Sequence, residues 1–368
     1  MPPVITLGTA LLDEFEWLPP AVGDVEPSSS SPTPAPARPN ELRIGGGGVY
    51  AALGARIWLP PSGVGCVVHR GPDFPAEVQE QLDTFGEEMW HFVDVETPTP
   101  RALNTYHPPS PSRHFRLLTP PPVLSLSSFP SSPSSSPSYI HLCSPPSHLS
   151  AILSTLPSSP SPDQVNVRVV YEPLPPNCLP SSLPLLLPLF SHPSFFALSP
   201  NHLEATALLG LPESAVGGRE GVESVGRRLR ELGAERVVLR CGGWGCYWID
   251  GESEGWVEAY HESEEGVRDT VGAGNAFLGG LLASLSLSLS LPSPSPSSPS
   301  LAEHCERASI SASFVVEQVG LPTLSLSDSE GGGKEERWNG ENPEERLREL
   351  RSRSTAATSG GKEGERGG

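Results

Sequence analysis

A glycine-rich turn before an apolar helical pattern is the strongest chemical signal in the sequence. Residues 269–280 read DTVGAGNAFLGG, so Gly272, Ala273 and Gly274 stand at the start of a predicted helix. The N-terminus of a helix has free backbone N–H groups that bind phosphate, and glycines let an anion approach because they have no Cβ. The pattern therefore predicts an anion site, although an ordinary glycine-rich helix start explains a single motif equally well.

A second polar pair, Asn201 and Glu204, follows the apolar run 195–198. Asn and Glu three residues apart at a helix start are typical of a capping box, in which each side chain accepts a hydrogen bond from the other residue's backbone N–H. A carboxylate at the carboxyl end of a strand can also hold Mg²⁺ or its water ligands beside a phosphate. Taken alone, the pair favours the capping box.

The third signal is a run of four glycines, residues 45–48, before another helical pattern. Gly46, Gly48 and Ala51 match the G-x-G-x-x-A pattern of dinucleotide sites, but Cys66 stands where an acidic residue is expected about 20 residues later. An NAD(P)-dependent oxidoreductase is therefore disfavoured. A glycine floor under a small polar substrate explains Gly46 and Gly47 equally well.

Asp13 follows the first apolar strand pattern and stands five residues after Gly8. A carboxylate at the end of a strand can accept hydrogen bonds from the hydroxyl groups of a substrate. Without other observations, a solvated turn carboxylate is the commoner explanation.

Short apolar runs and helical patterns alternate around these segments. This alternation predicts a mainly parallel sheet with helices on both faces and with ligands at the carboxyl ends of the strands. Residues 284–291 alternate Ser and Leu, so a strand and a continuation of the preceding helix both stay open. The predicted strands are 4–7, 64–68, 165–171, 195–198 and 236–240, and the predicted helices are 50–58, 77–85, 203–209, 222–232 and 276–285.

Serine and proline concentrate in a few stretches of the 368-residue chain, which holds 44 prolines. These stretches bury too little apolar surface to offset chain entropy, so we expect disordered insertions at 27–39, 108–138, 144–162 and 292–300. Residues 324–368 are polar and glycine-rich, which predicts a mostly disordered, charged tail with one short solvated helix at 342–351.

The net charge of −19 disfavours nucleic acid and anionic membrane as partners. The six cysteines form no C-x-x-C pair and no cysteine–histidine ligand spacing, so we expect neither a disulfide framework nor a zinc site. The N-terminal stretch has no basic region of the kind found in secretory signals, and no apolar run is long enough to cross a membrane. We expect a soluble, cytoplasmic protein.

The order of these segments resembles that of the PfkB, or ribokinase-like, carbohydrate and nucleoside kinases over most of residues 4–323. Residues 269–280 resemble the D-T-x-G-A-G-D signature of this family, and 201–204 resemble its N-x-x-E motif. Residues 45–56 are similar to its double-glycine signature, shortened by one residue. Gly8 and Asp13 match its G-x-x-x-x-D start.

Two further stretches, 237–245 and 320–322, correspond to the strand and loop that lie beside the nucleotide in relatives. The Gly-Asn-Ala-Phe sequence at 274–277, with YEPLP at 171–175, looks most like a fungal branch of the family related to maintenance-of-killer proteins.

The resemblance implies a ribokinase-like three-layer α/β sandwich with a central, mostly parallel sheet, in a single domain over residues 1–323 that the insertions interrupt. It also implies a small β lid built from segments near 15–18, 41–44 and 102–107, through which a homodimer could form. The implied activity is ATP-dependent transfer of the γ-phosphoryl group to a hydroxyl of a sugar or nucleoside.

Site roles follow from the same resemblance. Gly272, Ala273 and Gly274 would form the anion hole, and Asn201 and Glu204 would help to place Mg²⁺ and phosphate, with Glu204 acting on the metal through water. The resemblance also implies that Asp269 and Thr270 help to bind a monovalent cation beside the nucleotide. The residues that it implies for the substrate are Asp13, Gly46 and Gly47.

Asn275 departs from the family pattern, because it stands where the last Asp of the signature takes the proton of the attacking hydroxyl. A carboxamide can orient a hydroxyl but cannot act as a base near neutral pH. General-base help contributes about 10²–10⁴-fold in rate, so activity could fall by that factor while binding persists. A weakened kinase and a catalytically impaired pseudokinase that binds nucleotide or sugar both stay open.

Overall fold

The computed structural model describes residues 1–18, 41–106, 113–130, 136–158, 166–289, 299–328 and 333–360. Its strands are β1 Val4–Thr6, β2 Leu11–Trp17, β3 Glu41–Gly45, β4 Val64–Arg70, β5 Trp90–Asp94, β6 Arg101–Tyr106, β7 Arg113–Leu117, β8 Tyr139–Ser144, β9 Arg168–Pro173, β10 Phe195–Leu198, β11 Arg236–Arg240, β12 Cys246–Asp250, β13 Ser253–Val257, β14 Leu324–Asp328 and β15 Lys334–Trp338. Its helices are α1 Gly47–Arg56, α2 Ala76–Asp83, α3 Pro146–Ser154, α4 Leu183–Leu186, α5 His202–Leu208, α6 Arg219–Glu231, α7 Ala273–Leu289, α8 Leu301–Val316 and α9 Pro343–Gly360.

A nine-stranded sheet forms the centre of the molecule, in the order β13-β12-β11-β10-β9-β8-β1-β4-β5. The pairings from β5 across to β11 are parallel, and β12 and β13 join antiparallel at one edge. The inner strands are buried on both faces, which explains why they read as continuous apolar runs in the sequence. All five predicted strands lie in this sheet, so the predicted central, mostly parallel sheet is confirmed.

Helices cover both faces of the sheet and complete three layers. Side chains from α1, α2, α7, α8 and α9 form the core on one face, and side chains from α3, α4, α5 and α6 form the core on the other. Gly279 lets α7 touch α1, because a Cβ there would lie 1.9 Å from the carbonyl oxygen of Ala51. This close packing fixes the position of the α7 N-terminus.

The lid is a separate four-stranded sheet in the order β3-β2-β6-β7. β2 pairs antiparallel with β3 and parallel with β6, so Asp13 faces both Arg43 and Ala102 across the sheet. The three predicted lid segments contribute β2, β3 and β6. The fourth strand, β7, comes from residues that the sequence had placed in an insertion.

Two of the predicted insertions were partly wrong. Within 108–138, β7 pairs with β6, and the side chains of Leu124 and Phe129 are buried in the core. Within 144–162, helix α3 buries Leu149 and Ile152. The few apolar residues in both stretches are spaced so that they reach the core, and the average composition of a stretch does not show this spacing. Residues 27–39, 108–112, 131–135, 159–162 and 292–298 lie outside the described residues.

The Ser/Leu alternation after residue 284 is helical, so the strand interpretation was wrong. Helix α7 continues to Leu289, and Ser284 is buried with its hydroxyl 2.8 Å from Nδ1 of His304 on α8. A buried hydrogen bond to a neighbouring helix makes the serine compatible with the core.

The predicted disordered tail was also wrong over its described part. Strands β14 and β15 pair antiparallel, and α9 buries Leu347 and Leu350, so the expected helix at 342–351 is not solvated all round. Trp338 is fully buried and stacks on Phe85 with 5.7 Å between ring centroids. The tail therefore belongs to the core, and residues 361–368 lie outside the described part.

Replacing Trp338 with alanine should cost about 3–5 kcal/mol of unfolding free energy, because the cavity left in a packed core adds to the lost burial. Urea denaturation of the two proteins measures this difference. Leu326→Ala on the same hairpin is the control, since that side chain is 63% exposed and its loss should change the free energy by less than about 0.5 kcal/mol. Equal effects of the two changes would contradict the placement of Trp338.

Among the described residues, every helix is too short or too polar to cross a lipid bilayer. All six cysteines lie in described segments, and each is a free thiol.

Candidate active site

The predicted anion site lies at the first turn of α7. Gly272 has φ 79°, which favours glycine, and a Cβ there would lie 2.2 Å from the ring of Tyr50. The first helical hydrogen bond runs from the Ala276 N–H to the Gly272 carbonyl at 2.9 Å. The N–H groups of Gly274 and Asn275 have no acceptor within the described chain, so they are available to an anion.

A cavity of about 660 Å³ opens beside this turn. Thr270, Ala273 and Gly274 line one side, and Trp244 and His261 lie on other parts of its wall. Ligand pockets for compounds of nucleotide size have volumes of about 300–1,000 Å³. The cavity can therefore hold a nucleotide with its phosphates at the α7 N-terminus.

Asn201 and Glu204 form the capping box of α5. The Glu204 N–H donates to Asn201 Oδ1, and the Asn201 N–H donates to Glu204 Oε2, both at 2.8 Å. Asn201 also lines the cavity, so the capping role and a role beside the nucleotide are compatible. Burial raises the pKa of Glu204, and the nearby Arg240 only partly offsets this effect.

Mg²⁺ fits this arrangement only as an ion carried by phosphate. Glu204 is a single carboxylate with a 14% exposed side chain, and the described residues contain no group of three or more potential metal ligands. Mg²⁺ commonly takes one or two carboxylates and completes its shell with water and substrate phosphates. Glu204 would hold such an ion through water.

The side chain of Asn275 is anchored to a buried carboxylate. Its Nδ2 donates to Glu172 Oε2 at 2.7 Å, and the other oxygen of Glu172 lies 2.7 Å from Nη2 of Arg240. Burial alone would raise the pKa of Glu172, but Arg240 and His141 outweigh burial and hold it below its usual range. Because a carboxylate only accepts hydrogen bonds, the amide of Asn275 must present nitrogen to Glu172 and keep Oδ1 as an acceptor.

A hydrogen-bonded chain continues behind Glu172 to β1. His141 Nε2 lies 3.2 Å from Glu172 Oε2, and His141 Nδ1 lies 2.9 Å from the Thr6 hydroxyl. Because the Glu172 carboxylate only accepts hydrogen bonds, Nε2 of His141 donates to it, and Nδ1 of a neutral imidazole then accepts from the Thr6 hydroxyl, whose oxygen accepts the Gly8 N–H at 3.0 Å. The chain holds Glu172 in one position.

The side chains of Asp13 and Asn275 both lie beside the glycine run 45–48. A Cβ on Gly45 would lie 2.3 Å from Oδ2 of Asp13, and a Cβ on Gly47 would lie 3.1 Å from Nδ2 of Asn275. Asn104 on β6 donates to Asp13 Oδ1 at 3.0 Å and fixes that carboxylate. The predicted substrate residues and the base position therefore border the same segment, at the junction of the lid and the main sheet.

The dinucleotide interpretation of the glycine run finds no support in this geometry. The Gly48 N–H donates to the Thr9 carbonyl at 3.0 Å, and a Cβ on Gly48 would lie 2.2 Å from the Gly8 carbonyl oxygen. The α1 N-terminus packs against the backbone of the chain at this point.

Asp269 and Thr270 lie just before α7, as the sequence predicts. Asp269 Oδ1 accepts the Val271 N–H at 3.0 Å, and Thr270 is exposed at the cavity. A role in holding a monovalent cation stays a prediction.

The sequence motifs did not identify Glu172 or His141 as parts of the site, and they placed Arg240 there only as one residue of the segment 237–245. Glu172 and Arg240 each stand near the carboxyl end of a buried apolar strand, β9 and β11, which is the edge where ligands bind in such sheets. A charged residue at that position is the signal that could have identified them.

Comparison with known proteins agrees with this geometry. The model of the pfkB family carbohydrate kinases matches residues 161–327, which contain the N-x-x-E motif and the glycine turn. The resemblance to the PfkB family is confirmed.

Similarity over most of the chain extends to two yeast proteins. The chain is 28% identical to protein MAK32 of Saccharomyces cerevisiae over 76% of this chain and 78% of that protein. It is also 28% identical to an uncharacterized protein of Schizosaccharomyces pombe over 83% of this chain and 86% of that protein. Both matches agree with the fungal branch that the PfkB-like motifs indicated.

Solved structures show the same fold at low identity. The Arabidopsis thaliana ribokinase complexed with ribose and ATP superimposes with a TM-score of 0.58 at 18% identity, over 87% of this chain and 94% of that chain.

Proposed function

We propose that this chain is an ATP-dependent phosphotransferase that acts on a hydroxyl of a sugar or nucleoside. The observation that carries the proposal is the position of the α7 N-terminus. Its first turn lines a cavity large enough for a nucleotide, and Asn275 in the same turn lies beside Gly47 of the glycine run. An anion site between a cavity and a polar floor is the arrangement that in-line phosphoryl transfer needs. The chain shares its fold with a ribokinase whose structure contains ribose and ATP, which supports a nucleotide and a sugar as its ligands.

The nucleotide occupies the cavity, with its terminal phosphates at Gly272, Ala273 and Gly274. Free N–H groups there stabilise negative charge on the transferring group. Glu204 would hold, through water, the Mg²⁺ that accompanies ATP, and this ion would neutralise part of the phosphate charge. Asp269 and Thr270 would supply oxygen ligands for a monovalent cation.

The acceptor lies on the lid side of the glycine run. Asp13 accepts hydrogen bonds from its hydroxyls, and Gly46 and Gly47 form the surface on which it packs. Asn275 Oδ1 accepts the hydrogen bond of the attacking hydroxyl and orients it. Because an amide takes no proton, we expect turnover about 10²–10⁴-fold below that of a kinase with a carboxylate base.

A pseudokinase is the second candidate, and the Asn275–Glu172 hydrogen bond favours it. In that case the cavity binds nucleotide or sugar for regulation, and the chain transfers no phosphoryl group.

We further propose that two copies of the chain form a homodimer through their lids. The β7 strand exposes Phe115 and Leu117, at 51% and 40%, and adjacent exposed apolar residues are typical of an interaction surface. We place the protein in the cytoplasm, with a small-molecule substrate and no nucleic acid or membrane partner, in keeping with its net charge of −19.

One assay separates the two candidates. The wild-type protein is incubated with Mg-ATP and a panel of sugars and nucleosides, and ADP release is measured beside thermal stability. The kinase predicts ADP release that depends on one class of acceptor, together with ATP-dependent stabilisation. Stabilisation by ATP without acceptor-dependent ADP release would support the pseudokinase, and no stabilisation at all would contradict both.

A further inference from the structure

Arg240 is an arginine that lines the cavity. It ends strand β11 with a side chain only 11% exposed, and it lines the cavity beside the first turn of α7. A Cβ on Gly274 would lie 2.1 Å from its Nη1. The guanidinium therefore sits directly against the turn whose N–H groups are free.

Both ion pairs that Arg240 makes with described carboxylates run through one guanidinium nitrogen. Nη2 contacts Glu172 at 2.7 Å and Glu204 at 3.5 Å. Nε is buried without a hydrogen-bond partner, and Nη1 lies against the first turn of α7. Leaving a buried guanidinium N–H group unpaired is costly, so the arrangement favours a ligand that accepts hydrogen bonds at this point.

We propose that Arg240 binds the terminal phosphates of the nucleotide, together with the α7 N-terminus. The inference rests on the proposed function, since it assigns a phosphate-contacting residue within the same site. Glu172 fixes Nη2 and leaves Nη1 toward the turn, which suits a phosphate oxygen held by the guanidinium and by backbone N–H groups at once.

Glu204 competes with the phosphate for Arg240. Its contact with Nη2 is long, at 3.5 Å, whereas the contact of Glu172 with the same nitrogen is 2.7 Å. A phosphate that reaches Arg240 adds negative charge near Glu204, so the two anions repel each other unless Mg²⁺ lies between them. Arg240 should therefore support nucleotide binding even without a divalent ion, and neutralising Glu204 should strengthen that metal-free binding.

Calorimetric titration with ADP in excess EDTA tests this inference. The variants are Glu204→Gln, the charge-balanced pair Arg240→Gln with Glu204→Gln, and Arg240→Lys, which keeps a positive charge for Glu172 but has no second nitrogen for the phosphate. Arg236→Gln is the matched control, because it removes an arginine from the other end of β11, where Asp250 lies 2.9 Å away. Circular dichroism and thermal unfolding without nucleotide check that each variant folds.

We expect wild type to bind ADP in EDTA and Glu204→Gln to bind at least as tightly. The double variant should bind about tenfold or more weakly than Glu204→Gln, the loss expected for charged hydrogen bonds. Arg240→Lys should also bind more weakly than wild type, and Arg236→Gln should not differ from it. Folded Arg240 variants that bind ADP like their parents would overturn the inference alone. If wild type binds no nucleotide with or without Mg²⁺, the proposed function and this inference both fail.

Discussion

The single change Asn275→Asp should restore little turnover, whereas the exchange Glu172→Gln with Asn275→Asp should raise it well above wild type. The amide nitrogen of Asn275 lies 2.7 Å from a Glu172 oxygen, so an aspartate there would place two carboxylates in contact. Two carboxylates at that distance share one proton, and the pKa of one of them rises strongly. The new aspartate would then be a poor base near neutral pH.

The exchange removes this conflict and keeps every hydrogen bond. The glutamine oxygen can accept from Arg240, and its NH₂ group can donate to the new aspartate and to His141, whose imidazole then donates to Thr6 through its other nitrogen. The carboxylate at the base position is then free of like charge. Since general-base help contributes about 10²–10⁴-fold, the double variant should gain roughly 10²-fold in rate over wild type.

ADP release with Mg-ATP and the acceptor panel, followed over pH, measures all three proteins. The single variant should accelerate only as pH rises and the shared proton leaves, whereas the double variant should be active near neutral pH. Glu172→Gln alone is the control, because it changes the charge beside position 275 without introducing a base there. A single variant as fast as the double variant would show that Glu172 does not influence position 275.

Gly274→Val should abolish ATP-dependent turnover. The new Cβ would lie 2.1 Å from Nη1 of Arg240 and would cover the free N–H groups of the turn. Loss of one oxyanion donor costs about 10²–10³-fold in other enzymes, and this change displaces several groups at once. ADP release and ADP titration should both fall below detection.

Gly218→Val is the matched control, because a Cβ there meets nothing within 4 Å and its backbone is extended, with φ −163°. Circular dichroism must show that both variants fold. Unchanged turnover in a folded Gly274→Val protein would contradict the anion site.

Most of the fold follows from local patterns in the sequence. The five buried strands are continuous apolar runs, and the helices between them have the spacing that a two-sided sheet requires. Composition misled at α3 and β7, because serine and proline outnumber the few apolar residues that anchor these elements. Pro146, for example, stands in the first turn of α3, where proline is tolerated.

The C-terminal elements show a second limit. Trp338 and Leu347 lie in a polar, glycine-rich stretch, yet both are buried in the core that α1 and α8 share, where Trp338 stacks on Phe85. One large aromatic residue can anchor a segment whose average composition is polar. The tail has no signal of its own, because its partners lie far away in the sequence.

Some residues of the site could be predicted from the sequence and others could not. The glycine turn, Asn201, Glu204 and Asp13 are recognisable because each belongs to a short motif. Glu172 and Arg240 are separated from Asn275 by 103 and 35 positions, and only the sheet brings their strand ends to the start of α7. The meaning of Asn275 depends on Glu172, so the sequence alone could identify the substitution but not its partner.

Phosphorus NMR of the acceptor after incubation with Mg-ATP tests the central claim most directly, using wild type and the variant with both Glu172→Gln and Asn275→Asp. We predict a new phosphate ester on a sugar or nucleoside hydroxyl, formed slowly by wild type and faster by the double variant. ATP binding without any phosphorylated acceptor from either protein would contradict a phosphotransferase and leave a nucleotide-binding protein.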